Sequence, residues 1–420
     1  MATGMPIAFC FMLICFMGAL LFWGGLVGLE HLITSIFSSV ASFAFLPLPL
    51  FILMGTIIFE SGVGVLMVDA LDKNLGRLPG RLSLISVGAG TLLATLTGVS
   101  TGSVAILGKG LVPEMEKRGY QKPMSLGPIV GSGALATMIP PSALAIFLGA
   151  IGQVSIGKLL IAIIIPGLLM AVLFAAYIIA RCMLQPSLAP SYAVASIPLS
   201  EKLRVTARHI LPIGIIIFAV IGVILMGVAT PSEAAAFGVV ACYFLVALHR
   251  KLNWQVVKKS AVSAIETTVM IFMIIAAAIS FSRLLSFSGA ITGLVKLASG
   301  LPVAPMLIII ASQVLVVFMG MFMGPNSIIM ITLPIFMPIV LAFGFDAVWF
   351  GVIMLINVQL GLISPPFGMD CYVMKGIAPP GVTVGDVFRS AMPFLGLGLV
   401  AMAIIMAFPQ VALWLPSVMG

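Results

Sequence analysis

The sequence predicts an all-α, polytopic membrane protein in which two inverted structural repeats each carry a re-entrant hairpin and a broken helix. Three observations predict it. The 420 residues are 62% hydrophobic and only 8% charged, with mean hydropathy +1.29, whereas a soluble domain carries about 25% charge. The apolar runs lack the alternation of barrel strands, so their spans are helical. Proline-rich breaks interrupt two of those runs at matching places in the two halves.

The first span is 5–27, read as retained because no basic segment precedes it as in a signal peptide. The stretch 30–43 reads equally as a short span or an interfacial helix, and 44–62 is the next span. Residues 1–63 thus form an N-terminal scaffold. A first repeat, 64–183, begins with an amphipathic arm at 64–76. Its hairpin, 82–113, is interrupted at Gly98–Gly102. At 1.5 Å per residue each arm reaches about 16–24 Å, short of a ~30 Å hydrocarbon core. A broken span follows at 123–150, interrupted at Pro140–Pro141, and then a span at 159–180.

Residues 184–282 supply a linker and scaffold spans at 209–229, 234–249 and 261–282, with a second arm at 253–260. The second repeat, 283–409, holds an arm, a hairpin at 303–342 and a broken span at 346–378. The breaks fall at Gly324–Asn326 and Ser364–Pro366, and 389–409 is the last span.

The repeat rests on ordered landmarks. Ser103 precedes Pro141 by 38 residues, and Ser327 precedes Pro366 by 39. LPGR at Leu78 matches LPVA at Leu301, SIGKL at Ser155 matches TVGDV at Thr383, and Pro166 matches Pro393. These three offsets are 223, 228 and 227. If the hairpins return to their own side and the broken spans cross, 16 of the 20 basic residues fall on one face. By the positive-inside rule that face is cytoplasmic, and the halves are inverted. Lys109, Lys158, Arg283 and Lys296 are the exceptions. The net charge of +8 therefore reports topology rather than nucleic-acid binding.

Proline removes a backbone donor and ends a helix. In hydrocarbon the freed groups must line a cavity or bind something. Paired breaks therefore point to a midplane binding site, where helix C-termini offer carbonyls to a cation and N-termini offer amides to a carboxylate. The nearby side chains are small neutral oxygens: Thr97, Ser100, Thr101, Ser103, Thr137 and Ser142, then Asn326, Ser327, Asn357 and Ser364. Gly98, Gly102, Gly320, Gly324 and Gly368 allow close backbone approach. Packing kinks are the plainer reading of any single break, but four in matched pairs favour binding.

Asp370 lies just past the second break. It reads as a cation, proton or substrate residue, or as half of an ion pair with Lys375 or Arg283. Glu233 reads as a first-turn residue of a helix capped by Ser232. His31, His209 and His249 stand at span ends without partners, and Cys10, Cys15, Cys182, Cys242 and Cys371 have no metal or disulfide spacing. No catalytic constellation and no phosphate-binding GxxxxGK[ST] loop occurs, so neither an enzyme nor ATP use is expected.

Several stretches resemble the large membrane subunit of tripartite ATP-independent periplasmic (TRAP) transporters. They are GSVAILGKGLVPEMEKRGY (102–120), IPPSALAIFLGAIGQVSIGKLLIA (139–162), ATPSEAAAFGVV (229–240) and the segment 323–368 ending in LGLISPPFG. The resemblance implies an elevator-type protein of the ion transporter superfamily, in the bacterial inner membrane, importing an organic acid on a sodium gradient without any other cofactor. It implies two partners besides the lipid bilayer: a small four-span membrane subunit, expected here as a separate chain, and a periplasmic substrate-binding protein.

Carried over by motif, a first sodium site comprises Thr97, Gly98, Ser100, Ser103, Thr137 and Pro140. A second comprises Gly320, Gly324, Asn326, Leu360 and Ser364. Substrate lies between the tips at Ser103, Pro141, Ser142, Asn326, Ser327, Pro365, Pro366 and Asp370. Two positions depart from the family pattern, Ala136 in place of a frequent Gly and Asp370 in place of a common Asn. A stand-alone sodium- or proton-coupled organic anion transporter is the alternative reading, and a channel or membrane scaffold is a third.

Overall fold

The computed structural model describes residues 5–74, 78–97, 100–190 and 198–419. Every regular element among them is helical. The chain begins with α1 (Ile7–Phe22) and α2 (Leu26–Val40), turned by Gly24 and Gly25 at φ +86° and +73°. A positive φ strains any side chain, so the turn needs glycine. The expected span 5–27 is thus a 16-residue helix, and the ambiguous 30–43 belongs to a 15-residue partner. α3 (Pro47–Ser61) starts on a proline and ends on the left-handed Gly62, the usual asymmetry of helix ends.

α4 (Val63–Asn74) covers the expected arm, and α5 (Arg81–Thr97) and α6 (Ser100–Lys117) form the first helix pair. α6 carries Pro113 inside and runs past it to Lys117, so it is longer than the hairpin arm expected from sequence. α7 (Lys122–Ser125), α8 (Gly127–Ala134), a 3₁₀ turn at Leu135–Thr137 and α9 (Ala143–Gly152) make the first broken helix. α10 (Ile156–Ala162) and α11 (Ile164–Leu184) then form a nearly continuous 29-residue apolar stretch.

α12 (Leu199–Val205) leads through a π-turn into α13 (Leu211–Leu225), followed by α14 (Pro231–Leu248) and α15 (Trp254–Phe287). The 34 residues of α15 reach about 51 Å, more than a hydrocarbon core. The expected arm at 253–260 is therefore no separate element but the overhanging end of this helix. α16 (Ala290–Ser299) precedes the second helix pair, α17 (Pro305–Gly320) and α18 (Pro325–Ala342). The second broken helix is α19 (Ala347–Gly361) and α20 (Met369–Ile377), and α21 (Val384–Ala407) and α22 (Gln410–Ser417) complete the chain.

Seven helical stretches among the described residues are long and apolar enough to cross a membrane. They include α18, which was expected to be only a hairpin arm, and exclude α1. α3 packs on α14 and α15, and α15 also carries α1 and α2. Phe218, Phe237 and Phe244 face outward on this group, as lipid-facing residues do.

One continuous core runs from this group into the remaining helices, and α19 lies within it. Residues 348–361 of α19 are buried without exception, as a helix apolar on every side must be. Trp349 anchors it: its ring is 1% exposed and its indole N–H donates to the Ile405 carbonyl at 2.9 Å. Glu233 is capped by Thr230 rather than Ser232. The Thr230 hydroxyl accepts from the Glu233 N–H at 3.3 Å, while the Glu233 carboxylate accepts from the Thr230 N–H at 2.8 Å. The expectation of unpartnered histidines also fails. His209 Nδ1 and His249 Nε2 lie 3.2 Å apart, because the π-turn before α13 carries His209 round to the end of α14.

Candidate ion and solute site

Each half brings a helix pair onto its own broken helix. In the first half α5 and α6 pack on the Leu135–Thr137 turn and on α8. Thr137 is 4% exposed and its hydroxyl donates to the Ala134 carbonyl at 3.5 Å. Pro140 and Pro141 are buried, with Phe51, Leu160, Val220 and Ile224 around them. Ser142 is fully buried and caps α9, accepting from the Ala145 N–H at 3.2 Å. Ser103 is fully buried on α6. Thr97 ends α5, but its side chain and the whole of Gly98 lie outside the described residues.

In the second half α17 and α18 pack on α19. Gly320 and Gly361 meet backbone to backbone. A Cβ on Gly361 would stand 2.8 Å from the Gly320 Cα, closer than real Cβ contacts come. The Phe367 N–H donates to the Met321 carbonyl at 3.2 Å, which ties the second break to the tip of its helix pair. Ser364 is 2% exposed and donates to the Gly361 carbonyl at 3.1 Å. Like Thr137, it keeps lone pairs for a cation. Leu360 is buried against Gly398. Gly324 caps α18, with Asn326 and Ser327 half-buried in the first turn. Unlike the first break, Pro365 and Pro366 are exposed. Gly368 is held at φ +29°, and a Cβ there would lie 2.4 Å from the Phe388 ring.

The breaks thus gather helix ends. The N-termini of α6, α9, α18 and α20 and the C-termini of α17 and α19 all fall at them. N-termini present unpaired N–H groups and C-termini unpaired carbonyls, so the ensemble suits an anion and a hard cation together.

Asp370, grouped by sequence with the second tip, instead meets the first half. Its Oδ2 accepts from the Ser100 hydroxyl at the start of α6. The sequence alternatives of an ion pair with Lys375 or Arg283 are not what the structure has. Arg283 donates to the Ser38 hydroxyl at 3.3 Å instead. It lines, with Gln153 and Glu233, a cavity of about 920 Å³ between the α2–α3 turn, the α9–α10 turn and the start of α14.

Sequence reading missed two carboxamides in this region. Gln313 accepts from the Asn357 amide at 2.8 Å on both its backbone carbonyl and its side-chain oxygen. Gln359, fully buried, donates to the Gly133 carbonyl at 3.4 Å. The signal was available, since a carboxamide inside an apolar run is costly unless it is partnered.

These features define a multi-pass helical membrane protein with interrupted helices at its centre. The same fold occurs in two solved structures. One is the YdaH transporter of Alcanivorax borkumensis, with TM-score 0.66 and 16% identity, covering 95% of this chain and 96% of that one. The other is MtrF of Neisseria gonorrhoeae, one of a class of antimetabolite efflux pumps, with TM-score 0.66 and 15% identity, covering 98% of this chain and 95% of that one. At sequence level the model of the tripartite ATP-independent periplasmic transporter DctM component matches residues 1–411. The chain belongs to that family, the large permeases of TRAP transporters.

Among curated relatives, the C4-dicarboxylate TRAP large permease DctM of Pseudomonas aeruginosa is 30% identical over 93% of this chain and 90% of its own length. The ectoine large permease TeaC of Halomonas elongata is 29% identical over 95% and 92%. The isethionate permease DctMQ of Oleidesulfovibrio alaskensis is 28% identical over 93% of this chain but only 61% of its own length.

Proposed function

We propose that this chain is the large permease subunit of a secondary transporter in the bacterial inner membrane. It imports a carboxylate-bearing organic solute down a sodium gradient, fed by a periplasmic binding protein and assembled with a small four-span subunit. The observation that carries the reading is the pairwise contact of four helix interruptions, two in each half. Such sites, held by helix ends rather than charged side chains, are typical of secondary transporters. The names of the relatives, C4-dicarboxylate, ectoine and isethionate permeases, support a small organic solute. The partial match to a permease named DctMQ supports a second membrane component.

In this reading α1–α3 and α13–α15 are the scaffold. The helix pairs α5–α6 and α17–α18 are re-entrant hairpins, related as inverted repeats, that move with the two broken helices as an elevator. One sodium ion lies among Ser100, Ser103, Thr137 and the end of α5, and a second among Gly320, Gly324, Asn326, Leu360 and Ser364. The solute carboxylate meets the N-termini of α9 and α18, near Ser142 and Ser327. The cavity beside Arg283 is the solute's entrance.

The test needs no knowledge of the solute. The purified protein is melted in sodium and in choline chloride at equal ionic strength. A ligand bound only by the folded state stabilises it by about 2.7 kcal/mol at 100 times its dissociation constant. A sodium-specific rise, reduced in Ser103→Ala and in Asn326→Ala, is expected. A rise of the same size in both variants and the parent would remove these side chains from the ion sites, and no rise at all would overturn sodium binding.

A further inference from the structure

We infer that Asp370, Ser100 and Gln359 form a buried site for one monovalent cation, a sodium ion or a proton, which fastens the first helix pair to the second broken helix. The site borders the first sodium position proposed above, with which it shares Ser100, but it is built on Asp370 and Gln359, which belong to neither sodium position.

Asp370 sits in the first turn of α20 and is fully buried. One carboxylate oxygen is held by the Ser100 hydroxyl, from a residue 270 positions away. The other, Oδ1, is buried without a hydrogen-bond partner. Gln359 reaches Gly133 from α19. Its amide N–H donates to the Gly133 carbonyl, and its Oε1 is likewise buried and unpartnered. Gly133 is where these groups converge. A Cβ there would lie 2.7 Å from the Ser100 Oγ and 3.2 Å from the Asp370 Oδ2, so only glycine leaves room for the carboxylate.

Among the described residues no cation of the protein forms an ion pair with this carboxylate. α8 and α19 carry no ionisable residue. On α6 the nearest charge in sequence is Lys109, nine residues and about 13 Å along the helix from Ser100. On α20 itself Cys371 donates its thiol to the Ile363 carbonyl, the Tyr372 hydroxyl donates to the Pro366 carbonyl, and Lys375 forms no ion pair with Asp370. On α21, Asp386 is bound to Lys122, and Arg389 is exposed. An unpaired buried carboxylate is strongly disfavoured. The dipole of a nine-residue helix offsets only a small part of that. Two unpartnered buried oxygens, one of the carboxylate itself and one of a carboxamide, are donors of the kind hard cations take. A proton on Oδ1 satisfies the same electrostatic requirement.

Because its two main contributors come from opposite halves of the chain, the bound cation holds those halves together. Its loss leaves α6 and α20 joined around an uncompensated charge. Occupancy of the cation therefore sets how firmly α6 and α20 are held on each other.

The experiment uses the whole chain in detergent. Melting temperature is recorded for the parent and for Asp370→Asn, which keeps the shape and removes the charge. Each is measured in sodium or choline chloride at equal ionic strength, from pH 5 to 8. With sodium as the cation, the parent has a sodium-dependent rise of at least about 2 °C at 100-fold excess over the dissociation constant, and Asp370→Asn loses part of it. With a proton, the parent's melting temperature in choline changes with pH and Asp370→Asn loses part of that change, while the part owed to the histidines stays in both. Identical sodium and pH responses in the two proteins overturn the site. Sodium stabilisation that persists in both leaves the two other sodium positions standing. A pH response reduced in the variant without any sodium response removes those positions and keeps this site.

If Asp370→Asn does not fold, the parent with isotope-labelled aspartate is followed by infrared difference spectroscopy across the same exchanges. A shift of a buried aspartate carboxyl band supports the site. An unchanged spectrum overturns it.

Discussion

Gly361→Ala tests the close approach on which the second half is built. The new methyl carbon would stand 2.8 Å from the Gly320 Cα, 3.2 Å from its carbonyl oxygen and 3.3 Å from its carbonyl carbon. All three are backbone atoms, so no side chain can swing away. Ordinary contact begins at 3.4 Å, so α17 and α19 must separate by at least about 0.6 Å, the difference from 2.8 Å. Overpacking of this kind costs about 1–3 kcal/mol. Gly320→Ala meets the Gly361 Cα at 2.9 Å and should cost a similar amount.

The double substitution should cost less than the sum, because one separation of the helices accommodates both methyls. The control is Gly396→Ala, in the middle of α21, with no atom within 4 Å of the added Cβ. Helix propensity there favours alanine by up to about 1 kcal/mol. The assay is thermal melting of the purified protein together with its unfolding midpoint in denaturant. If Gly361→Ala melts with Gly396→Ala rather than below it, the backbone contact between α17 and α19 does not exist as described, and the second site loses its frame.

Two further substitutions separate local from long-range contributions. Thr230→Ala removes the capping box of α14 and should cost about 0.5–2 kcal/mol, while Ser232→Ala, one residue inside the helix, should be close to neutral; equal effects in denaturant unfolding would return the cap to Ser232. Trp349→Phe keeps an aromatic ring but leaves the Ile405 carbonyl without its buried donor, for a loss of about 1–3 kcal/mol with no change in sodium response; a melting temperature equal to the parent's would show that the bond carries no net stability.

The sequence by itself determined what depends on local chemistry. The helical, multi-pass character follows from runs of apolar residues, since hydrocarbon admits only backbones that satisfy themselves. The four interruptions follow from proline and glycine, whose backbone preferences act at their own positions. The breaks at 140–141 and 364–366 could therefore be named before any fold was known, as could the one ending at Gly324, while of 98–102 residues 100–102 already belong to α6 and 98–99 lie outside the described residues. The boundaries that moved have equally local causes. α6 runs past Pro113, and α14 starts two residues earlier than a Ser232 cap requires, because Thr230 with Glu233 makes the better reciprocal pair.

Tertiary structure alone decided which groups meet. Asp370 faces Ser100 rather than Lys375, His209 faces His249, and Gly320 touches Gly361. These partners lie from 40 to 270 residues apart. Hydropathy is the same for a helix whichever neighbour it packs against, so nothing in the apolar pattern selects among them. Selection comes from close packing. Only one arrangement lets two glycine backbones touch and brings a carboxylate, a hydroxyl and a carboxamide to one glycine, Gly133, that leaves them room.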